Sequence, residues 1–499
     1  MIKFTAVKST LAVAAMLALG ACSLTPDYKR PDAPVATDWP QVPGLAASSA
    51  LAADAAAAHA TELPWSTYFP DARLQGLIRK SLDNNRDLRV AVLNIEQVRA
   101  QYQVTRADQL PTLNASITGT RQPSTLAPYP VTTVAQGGVT ITAFELDLFG
   151  RLRALSAAAS AQLFATEEAR KSAHISLVAS VASTYYAIWA DRWQLALAEQ
   201  TLQARQGSLK LQQLKFDNGV LNELDLRSTQ SVLEAARISR AQAQRQLAQD
   251  TNALDLLLGE TAPTDLLPPA PVLPSASAME DPQAVSALVR DALWPGLSEL
   301  PVGLPSEALL KRPDIAQAEQ QLISANANIG AARANLFPRI SLTASAGVVS
   351  DSLSGLFSDG RGAWSFSPGV VLPIFDTGRN IALVESSKVK RDIAVAQYEK
   401  ALQSAFREVA DALVARSSFA DQAQAQQNQT DAEAARLRLA TLRYSSGVAS
   451  QLDLLDAQRS LFASQQALIS AQLARQQAHI TLYKALGGGW TPPEPTSVR

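Results

Sequence analysis

The segment Leu214-Lys-Phe-Asp-Asn-Gly-Val-Leu-Asn-Glu-Leu-Asp-Leu226 recurs, with substitutions, as Leu442-Arg-Tyr-Ser-Ser-Gly-Val-Ala-Ser-Gln-Leu-Asp-Leu454. The same offset of 228 residues relates Gly150-Arg151 to Gly378-Arg379. Separate blocks that keep one offset over such a distance indicate an internal duplication. The chain of 499 residues is therefore predicted to consist of two copies of one unit.

Each copy is predicted to begin with a helix, at about Leu74 to Ala107 and about Pro313 to Ala334, and to change to strand after a proline. Beyond Pro111 and Pro338, apolar residues alternate with small polar ones, which is the period of a half-buried strand. A loop and a second alternating run follow in both copies, so each copy carries two strands. The four strands are predicted at about 112–122, 133–148, 339–349 and 363–374.

Long helices follow the strands in both copies. After Gly150 and after Gly378, about 65 residues run on without a proline. A helix of that length measures roughly 100 Å at 1.5 Å per residue, and such helices favour coiled-coil packing. Each long helix ends in a tight turn, and a returning helix completes the pair.

The predicted boundaries follow from these changes of period and from a Pro-rich stretch between the copies. The segments are a lipoprotein signal peptide (1–21), an N-terminal extended segment (22–64), a first repeat (65–258), an inter-repeat linker or equatorial region (259–311), a second repeat (312–486) and a C-terminal tail (487–499). The long helix pairs are predicted at 150–258 and 378–486.

The start of the chain is predicted to be a secretory signal. Lys3 and Lys8 precede a short apolar run that ends in Leu19-Gly-Ala-Cys22. This ending resembles a bacterial lipobox, which implies that Cys22 becomes the acylated first residue of the mature chain. Because Ser23 and not Asp follows it, we expect delivery to the outer membrane. The alternative is a plain signal peptide with an incidental cysteine.

Composition disfavours several classes of function. A net charge of −1 argues against a nucleic-acid partner. One cysteine and three widely separated histidines make a metal site or an enzyme of Cys or His chemistry improbable. Glu145 and Asp147 form the one pair of carboxylates that could suggest catalysis, but they lie at a strand end beside Gly150. A role in stabilising that junction is the better interpretation.

The number of strands predicts an oligomer. Four strands cannot close a membrane barrel, and open edges in lipid leave backbone groups unpaired at several kcal/mol each. Two chains would supply eight strands and three would supply twelve, both possible for bacterial barrels. A structural coiled-coil lipoprotein without a pore would not need the paired strand runs.

Several motifs resemble one known family, the OprM/NodT type of RND efflux outer-membrane lipoproteins, which is related to TolC. The motifs are Phe144-Glu-Leu-Asp-Leu-Phe-Gly-Arg151, Lys311-Arg-Pro-Asp314, Pro373-Ile-Phe-Asp-Thr-Gly-Arg379, Leu455-Asp-Ala-Gln-Arg-Ser-Leu461 and Tyr483-Lys-Ala-Leu-Gly-Gly-Gly-Trp490. The resemblance implies an α+β membrane channel, a homotrimer with a shared twelve-stranded β-barrel and a periplasmic barrel of long helices.

The resemblance also implies a function and partners. The chain would be the passive exit duct of a tripartite efflux pump, conducting drugs or other small molecules across the periplasm and the outer membrane. A periplasmic adaptor and a proton-driven inner-membrane RND transporter would be its partners, with lipid around the barrel and no cofactor. The alternative is a TolC-like duct for an ABC-driven export or type I secretion system.

Two groups of site residues are implied at the turns between the long helices. Gly219, Val220, Gly447 and Val448 are expected at the tips that dock the adaptor. The channel gate is expected to comprise Asp225, Leu452, Asp453 and Asp456. Asp225 and Asp453 also fit a second interpretation, because Asn222-x-x-Asp225 and Ser450-x-x-Asp453 have the spacing of helix caps. For Leu452, and for Leu455 beside it, helix packing is the better interpretation than a hydrophobic gate.

The lipid anchor can be tested directly. We expect Cys22→Ser to abolish acylation and to slow or misdirect assembly, while trimers still form because barrel closure does not depend on the lipid. The measurement is incorporation of labelled palmitate by the wild-type and variant chains. Equal labelling of the two would contradict the lipobox interpretation.

Overall fold

The computed structural model describes residues 24–36, 63–123, 125, 128–271, 297–298, 306–358 and 360–488. Cys22 lies outside these residues, so its acylation stays a prediction. The elements are α1 Trp65–Tyr68, α2 Ala72–Asn84, α3 Arg86–Ala107, β1 Leu113–Pro123, β2 Val131–Leu146, α4 Arg151–Asp217, α5 Glu223–Leu258, a 3-10 turn Ser306–Lys311, α6 Pro313–Ala334, β3 Arg339–Ser350, β4 Arg361–Val371, α7 Arg379–Ser445 and α8 Gln451–Ala485.

The chain forms two compact units, and both repeats contribute to each. The first unit comprises Met1–Ala33, Val92–Ala169 and Asp314–Ala401, and the second comprises Pro34–Ala91, Arg170–Pro313 and Leu402–Arg499. None of the helices in the described part of the chain combines the length and the apolar character needed to cross a bilayer.

The first unit contains a four-stranded antiparallel sheet in the order β1-β2-β3-β4. Each strand boundary lies within three residues of its predicted position. The two repeats meet where β2 pairs with β3, for example at Val139 and Ala346. A bulge between Ile141 and Phe144 shifts this register, and Ala143 there takes a positive φ of 50°. A bulge of this kind bends a strand near the end of its pairing.

Both outer edges of this sheet lack a strand partner among the described residues. β1 pairs with β2 alone, and β4 pairs with β3 alone. All of β1 is exposed, and Trp364 and Phe366 of β4 are exposed on one face. An exposed apolar sheet with open edges is a template for pairing with another chain.

In the first unit, the segment after the lipidation motif is bound along α6. The Glu319 carboxylate accepts two bonds from Arg30, at 2.7 and 2.8 Å, and one of 2.9 Å from the Tyr28 hydroxyl. Further along α6, Arg333 donates to the carbonyl of Leu24 at 3.0 Å. The segment therefore runs antiparallel to α6, and its start lies where α6 ends before β3.

The second unit has an aromatic core near the end of α8. The rings of Tyr68 and Tyr483 stack with centroids 4.2 Å apart, and Phe69 packs edge-on against them. The two hydroxyls are satisfied by backbone carbonyls, Tyr68 on His479 and Tyr483 on Gly488. Burial of such rings with their polar tips paired is a large stabilising contribution.

The prediction of one helix from about Leu74 to Ala107 is wrong, because Asn85 interrupts it. Asn85 has an extended backbone, and its side chain caps the next helix by accepting from Leu88 at 2.9 Å. The side-chain amide of Asn85 also donates to the carbonyl of Leu257 at 3.0 Å. The Ser81 hydroxyl donates to the same carbonyl at 2.7 Å. These two side chains satisfy a carbonyl at the end of α5, which has no partner within its own helix.

The two long helices that follow the strands are of equal length. α4 and α7 each contain 67 residues without interruption. Within the second unit, α4 packs against α5 through Leu202, Leu209 and Leu233. The helices therefore form hairpins in which apolar side chains are buried along one stripe.

A pair of carboxyl groups lies between α4 and α5 of the second unit. Asp191 is buried and shares a hydrogen bond with Asp250. Burial, that hydrogen bond and the repulsion between the two groups raise the pKa of Asp191 to about 7. The Gln246 side-chain amide donates a hydrogen bond of 3.3 Å to Asp250.

This pair predicts a pH-dependent stability. The folded chain holds a proton on Asp191 that the unfolded chain releases above about pH 4, so the free energy of unfolding falls as the pH rises from about 4 to about 7. We expect Asp191→Asn to raise the melting temperature at pH 8 by about 3 °C or more and to change it little at pH 4. Glu199→Gln, an exposed position of α4, is the control. If the melting temperatures of wild type and Asp191→Asn changed in parallel with pH, the raised pKa of Asp191 would be contradicted.

Candidate functional site

The two turns that end the long helices have the same backbone geometry. Gly219 and Gly447 take positive φ values of 72° and 73°. The amide of Gly219 donates to Phe216 and that of Val220 to Lys215, both at 2.9 Å, and Gly447 and Val448 repeat this pattern. These are the paired hydrogen bonds of a Schellman motif, which stops a helix at a left-handed glycine.

Apolar side chains are exposed just beyond both turns. Val220 is 76% exposed and Val448 is 70% exposed. Leu224 and Leu452, which the repeat offset of 228 residues relates, are exposed in the same way. Sequence reasoning missed Leu224, although that offset from Leu452 would have found it. Such a set of exposed apolar residues at a loop tip is typical of a docking surface.

Asp225 and Asp453 lie three residues after the N-cap residues of α5 and α8, as the capping interpretation expected. The amide of Asp225 donates to Asn222 at 2.8 Å, and that of Asp453 donates to the Ser450 hydroxyl at 3.2 Å. Asp453 completes a capping box, because its carboxylate accepts from the Ser450 hydroxyl and amide at 2.8 and 3.0 Å. These two bonds, with the nearby charge of Arg443, hold the pKa of Asp453 below its usual value.

Asp456 is part of an ion-pair network between α7 and α8. Its carboxylate contacts Arg436 of α7 at 2.6 Å and Arg459 of α8 at 3.3 Å. Arg436 also contacts Glu433 at 3.2 Å. Sequence reasoning did not foresee this network, because it depends on how α7 packs against α8.

Two leucines near the second turn lie in different environments. Leu455 is only 4% exposed, whereas Leu452 is 62% exposed. The packing interpretation therefore fits Leu455 and not Leu452 within one chain. A buried hydrogen bond of 2.8 Å from Gln451 to Thr229 joins the starts of α8 and α5. The two turns are thereby held together in the second unit.

The motif after β2 forms an ion-paired junction in the first unit. Glu145 accepts two bonds from Arg151, at 2.8 and 2.7 Å, across the turn at Gly150. Asp147 accepts from the backbone amide of Arg153 at 2.8 Å, which satisfies the first turn of α4. The junction borders a cavity of about 480 Å³ that Arg339 and Arg379 also line. These carboxylates therefore fix the change from strand to helix.

A duplicated unit of exposed strands and long helical hairpins that end in exposed apolar turns defines an outer-membrane channel protein. The family described as outer membrane efflux protein matches residues 77–260 and 304–488. The chain belongs to this outer membrane efflux protein family. The two matched stretches correspond to the two repeats.

Individual relatives cover nearly the whole chain. The antibiotic efflux pump outer membrane protein ArpC of Pseudomonas putida is 46% identical over 489 residues, 96% of this chain and 95% of that protein. The toluene efflux pump outer membrane protein TtgC of Pseudomonas putida is 45% identical with the same coverage, 96% and 95%. The open state of the Neisseria gonorrhoeae MtrE outer membrane channel has a TM-score of 0.79 and 38% identity, over 94% of this chain and 98% of that one.

These similarities confirm four predictions from the sequence. They are the OprM-type family, the α+β channel fold, the outer-membrane location and the function as an efflux duct. The roles of the tip residues, the gate carboxylates and Cys22 stay predictions.

The prediction that the turns dock an adaptor can be tested by substitutions that strain their backbone. A β-carbon at positive φ costs roughly 1–2 kcal/mol, so Gly219→Val with Gly447→Val should distort both tips. Neither glycine has a neighbouring atom in the way, so the strain is confined to the turn. We expect drug susceptibility to rise to that of a deletion strain, while trimers persist on gels. Gly207→Val within α4, where a β-carbon also meets open space, is the control. Wild-type susceptibility of the double variant would contradict tip docking.

Proposed function

We propose that this efflux duct assembles as a homotrimer and forms the outer-membrane exit of a tripartite RND-type pump. The observation that carries the proposal is the sheet with two open edges in the described residues of the first unit. Three copies would pair each β1 with a neighbouring β4, which leaves no backbone group unpaired in lipid. The resulting sheet has twelve strands, a size found in bacterial barrels.

The strands also have a suitable length. β1 and β4 contain 11 residues each, β3 contains 12 and β2 contains 16. A tilted strand of about 9–11 residues spans the bilayer. The exposed Trp364 and Phe366 fit an aromatic girdle at the membrane interface.

The N-terminal segment supports a lipid anchor beside this sheet. Leu24 is held by Arg333, which lies six residues before the start of β3. Cys22 precedes Leu24 by two residues in the sequence and lies outside the described residues, and its acylation is the proposed anchor.

The exposed apolar tips are the proposed contact with a periplasmic adaptor. Val220 and Leu224 of the first turn, with Val448 and Leu452 of the second, offer apolar area that nothing within the described chain covers. The adaptor would link the duct to an inner-membrane RND transporter that supplies the energy. The duct itself then performs no catalysis and needs no cofactor.

The substrates are proposed to be small organic molecules. Relatives named for antibiotic efflux and for toluene efflux are 46% and 45% identical to this chain. Passage through the duct would be passive, so selection would occur in the transporter. Conductance of the purified trimer in planar bilayers tests the duct, because a lipoprotein without a pore gives none.

The carboxylates after the second turn are the proposed gate. Three chains would place Asp453 and Asp456 in rings at the narrow end of the duct, with Asp225 and Leu452 alongside. Rings of like charge focus the electric field and favour cations. The ion pair of Asp456 with Arg436 at 2.6 Å offsets part of its charge and can hold the start of α8 against α7, so Asp453 would contribute most of the charge of the ring.

The gate is tested by recording single channels of Asp453→Asn with Asp456→Asn. Asn keeps much of the capping role but removes the charge, so we expect cation selectivity to fall and block by a periplasmic trivalent cation to disappear. Loss of an exposed ion pair costs only about 0.2–1 kcal/mol, so trimers should remain folded. Asp421→Asn, an exposed carboxylate of α7, is the control. Unchanged block in the double variant would mean that these carboxylates only cap and brace helices.

A further inference from the structure

A partly open cavity lies among three helices of the second unit, away from the turns. Its volume is about 200 Å³, and α4, α7 and α8 all contribute to its walls. The apolar part of the lining includes Leu197, Leu437 and Leu461. The polar part includes Gln200, Arg205 and Gln458. The volume is that of several water molecules, so a small ion with part of its hydration fits.

The guanidinium of Arg205 has no counter-ion in this cavity. Arg205 is only 7% exposed, and it makes no hydrogen bond or ion pair with any residue that the structure describes. Burial, with the like charge of Arg459, lowers the pKa of Arg205 to about 10. The group still carries its proton at neutral pH. A buried charge without a partner is unfavourable, and proteins normally pair such a group.

Amide groups in the same cavity also lack partners. Neither the amide nitrogen nor the carbonyl oxygen of the Gln200 side chain has a hydrogen-bond partner in the described part of the chain. The same holds for the side-chain oxygen of Gln458, across the cavity on α8. Buried amides are almost always hydrogen-bonded, so the Gln200 nitrogen is a donor that a ligand in the cavity can use. The two oxygens can only accept hydrogen bonds, which water in the cavity can donate.

The chemistry of the lining favours a negative ligand. Thr201 and Ser208 add hydroxyl donors beside Arg205, and no carboxylate lines the cavity. Asp456 does not line the cavity and is already bound by Arg436 and Arg459. No acidic side chain of the described residues is therefore positioned to neutralise Arg205.

We propose that this cavity binds a small anion of halide size, held by the Arg205 guanidinium and the Gln200 amide, with chloride as the ordinary occupant. Arg205 and Gln200 belong to the first repeat, and Gln458 belongs to the second. The bound anion thus compensates the charge of Arg205 on α4 and stabilises the folded state. Water alone fills the space but leaves the charge of Arg205 uncompensated.

Anion binding predicts an anion-specific stability of the purified trimer. A ligand that binds the folded state raises the melting temperature in proportion to the logarithm of its concentration above the dissociation constant. We expect chloride and bromide to raise the melting temperature of the wild type relative to gluconate, an organic anion much larger than a halide, at one ionic strength. Equal melting temperatures in the three salts would overturn the proposal.

Variants separate the site from general salt effects. Arg205→Gln should lose the chloride dependence, whereas Arg240→Gln, which removes the same charge from the exposed surface of α5, should retain it. Gln200→Leu leaves the guanidinium and removes one donor, so it should shift half-saturation to higher chloride. This variant also serves if Arg205→Gln does not fold.

Crystals grown in bromide give a direct reading. One anomalous peak per chain within hydrogen-bond distance of Arg205 is expected in the wild type. A cavity that holds only water, or a carboxylate of a neighbouring copy against Arg205, would overturn the proposal. A peak that persists in Arg205→Gln crystals would do the same.

Discussion

The pairing of backbone hydrogen bonds at the sheet edges is the constraint on which the rest of this protein depends. A strand in lipid has no water to satisfy its amides and carbonyls, so every edge must find another strand. With four strands per chain, the edges of β1 and β4 can be satisfied only between chains. The oligomer is thus a requirement of the membrane and not an addition to a finished fold. The duplication supplies the two strand pairs, and the pairing of β2 with β3 joins them into one sheet.

A different constraint acts on the helical part, because the backbone groups at the ends of its long helices need hydrogen-bond partners. Each of the two 67-residue helices stops at a left-handed glycine, where hydrogen bonds close the last turn and need no side chain. The returning helices begin at Asn222 and Ser450, whose side chains satisfy the first free amides. Because the backbone is satisfied locally, the apolar residues at the turns are not needed for folding. They can remain exposed and available to a partner.

The fold was largely predictable from the sequence because its signals are local or repeated. Alternation marked the strands, and the offset of 228 residues aligned the turns and both glycines. The break at Asn85 was not predictable, because it depends on a carbonyl of Leu257 far along the chain. The same holds for the pairing of Arg436 with Asp456 and for the isolation of Arg205, which depend on the packing of separate helices. The sequence therefore located the candidate site at the two turns. The ion pairs and hydrogen bonds around it could be identified only from the structure.

The ion pair of the second hairpin breaks the symmetry of the duplication. At the positions equivalent to Arg436 and Asp456, the first repeat has Ser208 and Ser228, which carry no charge. One hairpin is thus braced at this level by an exposed ion pair that salt screens, whereas the described residues at the equivalent positions of the other hairpin cannot form one. In a ring of three chains the two kinds of hairpin alternate. A rise in ionic strength would then weaken the Arg436–Asp456 pair in one hairpin of each chain and would leave the other hairpin without that change. Salt would therefore act at three positions around the ring, related by the threefold axis.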